Sequence, residues 1–574
     1  MKKTIYNLIC AVGLAGGLAS CSDFLEIEPQ DKILLENFWS EKTDVQSAVA
    51  GCYEALQADP VIRRMMIWGE FRSDNVTAGA GLNYDQNMEN IFKENIKATN
   101  GYTTWVDFYN VINRCNTVIK YAPGVAAIDP SYTASELKAT LAEVSAIRDL
   151  CYFYLIRAFR DVPYVTEAYT DDDQVMDLPA TPFDAVLDSI ITDLETVKSD
   201  AQRKYSEVQP LYQTGRITQD AINAMLCEMY LWKHDYATSI HYADLVIEAK
   251  KADAEEEKKE NPMAGSSSNN VFNGFPLIAE SYSSSSSAFY GNAYNTIFAE
   301  GNSSEGIFEL TFMDDNSMPH NTAVSAVYGN VEALPGLAAV PEFIGKDVSN
   351  GTYKVFANKY DARSYENFIE LGSLCGIGKY TKSLMQFNIA TSGDNTVMYG
   401  IHAKDRHTCN WIVYRLTDIM LLKAEALVQL MADVDTTGVN DDLKQEAFTL
   451  VNAVNKRSVC QSPLALKDTL VATSYSTKEQ MKELVLLERQ RELMFEGKRW
   501  FDLVRAARRD GNTKVLTGKV LQKYSSGAST IQNKLTRMDA IYWPYHTDEL
   551  KVNPNLKQNP AYGTGEEGSY ERVE

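Results

Sequence analysis

The chain has 574 residues, 45% of them hydrophobic and 10% aromatic, with 55 basic against 77 acidic side chains and a formal net charge of −22. That much apolar material can bury a core, which excludes disorder as the default state. The acidic balance excludes a nucleic-acid binder, because phosphate contacts require Lys and Arg.

The first 24 residues, MKKTIYNLICAVGLAGGLASCSDF, combine Lys2 and Lys3 with an apolar run from Ile5 to Ala19. The run is shorter than the about 20 residues a spanning helix needs and fits a secretory signal. Leu18-Ala19-Ser20-Cys21 has the spacing of a bacterial lipobox. Residues 1–20 are therefore expected to be a signal peptide and Cys21 the lipidated residue. Several acyl chains on one cysteine would give lasting anchoring to a membrane without a spanning helix, at about 0.8 kcal/mol per buried methylene.

Helical periodicity follows. Residues 43–58 align Val45, Ala48, Val49, Cys52 and Leu56 on one face, and similar apolar faces run through 103–121 and 137–160. Further amphipathic segments cover 181–199, 216–232, 235–249, 411–431, 443–457 and 478–508. Thr181-Pro182 reads as an N-cap followed by proline at the first helical position, and Asp235 as an N-cap for 235–249. The pair 216–232 and 235–249, joined by a short turn, resembles a tetratricopeptide unit, as do 411–431 with 443–457. Residues 260–400 are rich in Ser, Gly and Asn with short β-prone runs such as 306–310, and predict long loops with a few short strands.

Nine cysteines occur without a C-x-x-C pair, which argues against a disulfide scaffold and a structural zinc site. His402 and His407 flank Asp405, with Cys409 beyond, but no H-E-x-x-H, G-x-S-x-G, P-loop or G-x-G-x-x-G occurs. No cofactor, metal or catalytic residue is expected. Glu492 and Glu496 share a helix face in LLERQRELMFEGKRWFDLVR and invite a glycosidase reading. The interleaved arginines lower carboxylate pKa values, so Glu488, Glu492, Glu496 and Asp502 are read as a structural charge network with Arg489, Arg491, Arg499 and Arg505.

Tyr84, Tyr282, Phe289, Tyr290 and Tyr294 lie in polar, loop-like sequence. A flat ring with a polar rim suits a sugar face, and Asp74, Asn75 and Asn83 could supply hydrogen bonds beside it. These eight residues, in loops near 73–102 and 280–300, are the candidate ligand-binding set.

Several motifs in order resemble the SusD/RagB family of Bacteroidetes outer-membrane lipoproteins. They are Cys21-Ser22-Asp23-Phe24-Leu25 with Pro29, Ala50-Gly51-Cys52-Tyr53, Asn113-Arg114-Cys115-Asn116, and Asp161-Val162-Pro163 with Arg160 where a glycine is expected. Arg415–Ile419 with Ala424-Glu425-Ala426, Arg491–Leu503, Trp543-Pro544 and Asn553–Pro560 continue the series. The resemblance implies a mainly α fold, in which tetratricopeptide-like helix pairs form a single α-helical body with long irregular loops and a few short strands. It implies a lipoprotein over 21–574, with an N-terminal helical half (21–250), a loop-rich ligand-facing insert (260–400) and a C-terminal helical half (401–574). It further implies a non-enzymatic, externally facing outer-membrane protein that passes an oligosaccharide to a TonB-dependent, SusC-like transporter barrel. A peptide or other nutrient ligand, a lipoprotein glycosidase and an envelope scaffold are the alternatives.

Overall fold

The computed structural model describes residues 38–563 except 172–173, 207–209, 261–270, 279–286, 291, 313–319, 331–333, 345, 348–351, 354, 357–360, 372–373, 382, 389–396, 403–407, 435–437 and 459–469. Cys21 and Tyr282, and with them the lipidation site, lie outside the described residues.

Helices dominate, as the periodicity predicts. The helix Lys42–Leu56 starts on a capping box between Glu41 and Asp44 and packs its Val45, Val49 and Cys52 face against Val106–Ile128. That helix packs in turn on Ala134–Phe159, which begins at a Thr133/Glu136 capping box. Cys52, Cys115 and Cys151 are buried free thiols in this layer, behaving as small hydrophobes.

The tetratricopeptide-like unit consists of Gln219–Trp232, capped by Thr218, and Tyr236–Glu260, whose first turn is capped by Asp235. His234 takes φ 64° to reverse the chain between them, and Tyr230 stacks on Tyr242 with ring centroids 5.7 Å apart. Tyr236–Glu260 then packs against Leu416–Leu430, which packs on Val439–Ser458 and Lys478–Leu493. A helix from the first half is thereby joined to the helical layer of the second. No helix among the described residues is long and apolar enough to cross a membrane.

Three elements differ from the sequence reading. The segment 411–431 divides into a strand, Trp411–Arg415, and the helix Leu416–Leu430. All five strand residues are buried against Gly306–Leu310, and an apolar run buried on both faces carries no period that separates strand from helix. The segment 478–508 is two helices, Lys478–Leu493 and Arg499–Asp510, interrupted where Phe495 and Gly497 adopt φ 69° and 70°. The helix over 181–199 begins at Phe183, whose N–H is accepted by Asp161 Oδ1 at 3.1 Å, while Thr181 pairs with Val162 as an isolated β-bridge.

Between the helical halves run short antiparallel strands. They include a three-stranded sheet, Ser287–Tyr290 with Ser383–Asn388 and Val397–His402, and the pair Thr77–Ala78 with Ala338–Ala339.

Candidate functional site

The charged helix of the C-terminal half builds a buried ion lattice that fixes the frame beneath the loops. Glu492 receives Arg457 at 2.5 Å, Arg415 at 2.6 Å and Arg363 at 2.9 Å. Glu496 receives Lys379 at 2.5 Å and Arg415 at 2.7 Å. Arg489 bridges Asp418 and Asp502, and Arg505 joins Asp502 to Glu425. Burial opposes charge on Glu492, but Arg457, Arg415 and Arg363 hold its carboxyl well below the usual range, and Glu496 is likewise lowered against burial by Arg415 and Lys379. A glycosidase acid requires the opposite shift, so this carboxylate pair is suited to fixing chain segments and not to donating a proton.

The break between the two helices carries the lattice into the N-terminal half. Glu70 is fully buried and accepts Asn75 Nδ2 at 2.7 Å, Phe495 N at 2.9 Å and Lys498 N at 3.1 Å. It thus sits as an acid over the start of Arg499–Asp510, where unpaired N–H groups and the helix dipole favour negative charge. Burial nonetheless pushes its pKa up to about 7, while Asn75 and the backbone N–H donors pull it down.

The expectation that Asp74 and Asn75 offer hydrogen bonds to a ligand fails on burial. Asp74 is 1% exposed, and both its oxygens are held by Arg499 at 2.8 Å. Asn75 is wholly buried between Glu70 and Gln490. Tyr294 is also withdrawn: it is 4% exposed, donates its hydroxyl to Gly378 O at 2.8 Å and packs on Phe298. Loop-like sequence around these residues concealed partners 84 positions away for Tyr294 and more than 400 away for Asp74 and Asn75.

The remaining candidates sit at the loop layer. Asn83 and Tyr84 lie in the 3-10 turn Ala80–Tyr84, which follows the Thr77–Ala78 strand. That turn is clamped to the 334–340 segment by Gly79 N to Leu337 O at 2.8 Å and Gly81 N to Gly336 O at 3.1 Å. Phe289 and Tyr290 lie on an outer strand of the three-stranded sheet, in register with Gln386 and Met385. Tyr102, which sequence reading passed over, is half-buried beside this layer and donates to Asp85 Oδ2 at 2.6 Å, while Asp85 caps Gln86–Phe92. The spacing of Asp85 before an amphipathic helix was the available signal. His402 ends a strand, Cys409 is buried and its carbonyl accepts Asn321 Nδ2, and Asp405 and His407 lie outside the described residues.

Comparison with known proteins accords with this architecture. Residues 375–562 match the family model described as SusD family, and residues 23–231 match one described as starch-binding associating with outer membrane. Together the matches span more than half of the chain, and the chain belongs to the SusD family. It is 26% identical over 570 residues to SusD-like protein P38 of Formosa agariphila, covering 95% of this chain and 97% of that one. A SusD superfamily protein from Bacteroides vulgatus superposes with a TM-score of 0.62 at 18% identity, over 92% of this chain and 100% of that one. Surface glycan-binding protein A from Bacteroides uniformis superposes with a TM-score of 0.59 at 19% identity, over 91% and 100%.

Proposed function

We infer that this protein is a non-catalytic, cell-surface glycan-binding lipoprotein, anchored in the outer membrane through Cys21. It captures oligosaccharide and delivers it to a TonB-dependent, SusC-like transporter. The observation carrying this reading is near full-length likeness to a SusD-like protein and to a solved structure whose name states surface glycan binding. Support against a glycosidase comes from Glu492 and Glu496, whose carboxyls are held ionised by Arg457, Arg415, Arg363 and Lys379. The loop turn bearing Asn83 and Tyr84 and the strand bearing Phe289 and Tyr290 form the proposed capture surface. A tether at Cys21 keeps the binding body at high effective concentration over a transporter.

Native affinity electrophoresis tests the capture surface. The wild-type protein is expected to be retarded in gels cast with a polysaccharide, and the double variant Tyr84→Ala/Tyr290→Ala to run faster with unchanged Tm. Retardation of both alike would remove those rings from the site, whereas retention by a peptide library alone would replace glycan with peptide as the ligand. Loss of membrane association in Cys21→Ala tests the anchor, and co-purification of a barrel with the wild type tests the partner.

A further inference from the structure

Where the family resemblance expects glycine, Arg160 ends the long helix Ala134–Phe159 at φ 71°, ψ −77°. Asp161 N donates to Phe159 O at 3.1 Å across it, giving a three-residue γ-turn, a conformation strained for any residue with a Cβ. The side chain so positioned forms ion pairs with Asp161 at 3.0 Å and Asp539 at 2.6 Å, but all three groups are about one-third exposed. Pairs in that setting contribute little to stability. Strain held at a solvent-facing residue points to a use for the side chain itself.

The guanidinium opens on a groove of about 380 Å³, formed where the closing segment 555–560 passes the end of the helix and the 179–182 stretch. That volume is in the range of small-molecule sites. Its floor is rigid: Tyr545 donates to Asp161 O at 2.6 Å, and the Gln558 amide is bonded to both Tyr545 N and Tyr545 O. Arg160, Lys557 and Asp161 line it, and Asp539, which pairs with Arg160 from outside the lining, brings the local count to two cations against two carboxylates. Exposed Pro179, Pro182 and Pro560 supply an apolar wall.

The geometry points to a second oligosaccharide subsite in this groove, built from none of the loop residues and taking one or two uncharged sugar rings. Balanced charge selects a neutral ligand. Donors and acceptors side by side match hydroxyl groups, each of which both donates and accepts, and the prolines face the C–H surfaces of the ring. A preformed floor reduces the ordering cost of binding. This inference rests on the glycan reading above and adds a contact on the helical body to it.

The test uses the full mature chain in native gels cast separately with amylopectin, inulin, xylan and pectin. In the gel that retards wild type, Arg160→Gly and Lys557→Glu are expected to bind at least threefold more weakly. Arg160→Gly is also expected to keep or raise Tm, because glycine relieves the strain. Wild-type retention of both variants overturns the subsite. So does a fall in Tm of Arg160→Gly with normal binding by Lys557→Glu, which would make Arg160 a structural clamp. Absence of wild-type retardation in all four gels overturns the glycan reading and the subsite with it.

Discussion

The backbones of Gly69 and Gly497 touch: a Cβ built on Gly69 would overlap the Gly497 carbonyl oxygen. One glycine lies in the first helical layer and the other in the break between Lys478–Leu493 and Arg499–Asp510, so the contact joins the two halves of the chain. Gly497 is constrained further by φ 70° and by Met65 O, which would stand 2.9 Å from its own Cβ.

Gly69→Ala is therefore expected to cost about 3 kcal/mol or more, since neither backbone has room to yield. Gly518, inside the helix Lys514–Val520 with open space around it, is the control. There alanine should stabilise by about 0.5–1 kcal/mol through helix propensity. Urea midpoints measure both, and equal stabilities for the two variants would refute the contact.

Glu70, one residue on, makes stability depend on pH. Its folded-state pKa of about 7 lies above the ordinary 4.5, mainly through burial. The unfolded chain releases the proton first, so this contribution is complete below about pH 4.5 and is lost as pH rises through 7. The separation corresponds to about 3 kcal/mol. Glu70→Gln should flatten the slope of unfolding free energy between pH 5 and 8; an unchanged slope would show that Glu70 is ionised throughout.

Glu492 titrates in the other direction. Arg457, Arg415 and Arg363 overcome burial and depress its pKa, so its contribution is present above about pH 4.5 and lost as pH falls toward its folded value. Glu492→Gln leaves three buried guanidinium groups with one fewer anion and is expected to cost about 3–5 kcal/mol at pH 7. A loss below about 1 kcal/mol by chemical denaturation would mean the arginines repair themselves with Glu305, Glu488 and Glu496.

Asp74→Asn separates frame from ligand surface. It removes the charge that faces Arg499 in a buried pair, so the melting temperature should fall by several degrees. Polysaccharide retention well below the new Tm should equal that of the wild type. Selective loss of retention would return Asp74 to the binding set.

Much of the helical body is legible in the sequence. Lys42–Leu56, Ala134–Phe159 and the pair around His234 announce themselves through 3.6-residue periodicity and capping residues, which are local properties. The charge network is legible too, because acids and arginines interleave within one segment. Its true partners are not: Arg363, Lys379, Arg415 and Arg457 come from four separate stretches to meet Glu492 and Glu496.

What the sequence determined by itself was the class of fold, the place of most of its helices and the acidic, aromatic-rich character of the chain, since these depend on composition and on neighbours within a few residues. Only the tertiary structure decided that Asp74, Asn75 and Tyr294 are frame and not ligand surface, that WIVYR at 411–415 is a strand, and that Arg160 faces a groove. Burial and ion pairing depend on which distant segments arrive at a residue, and periodicity carries no record of that.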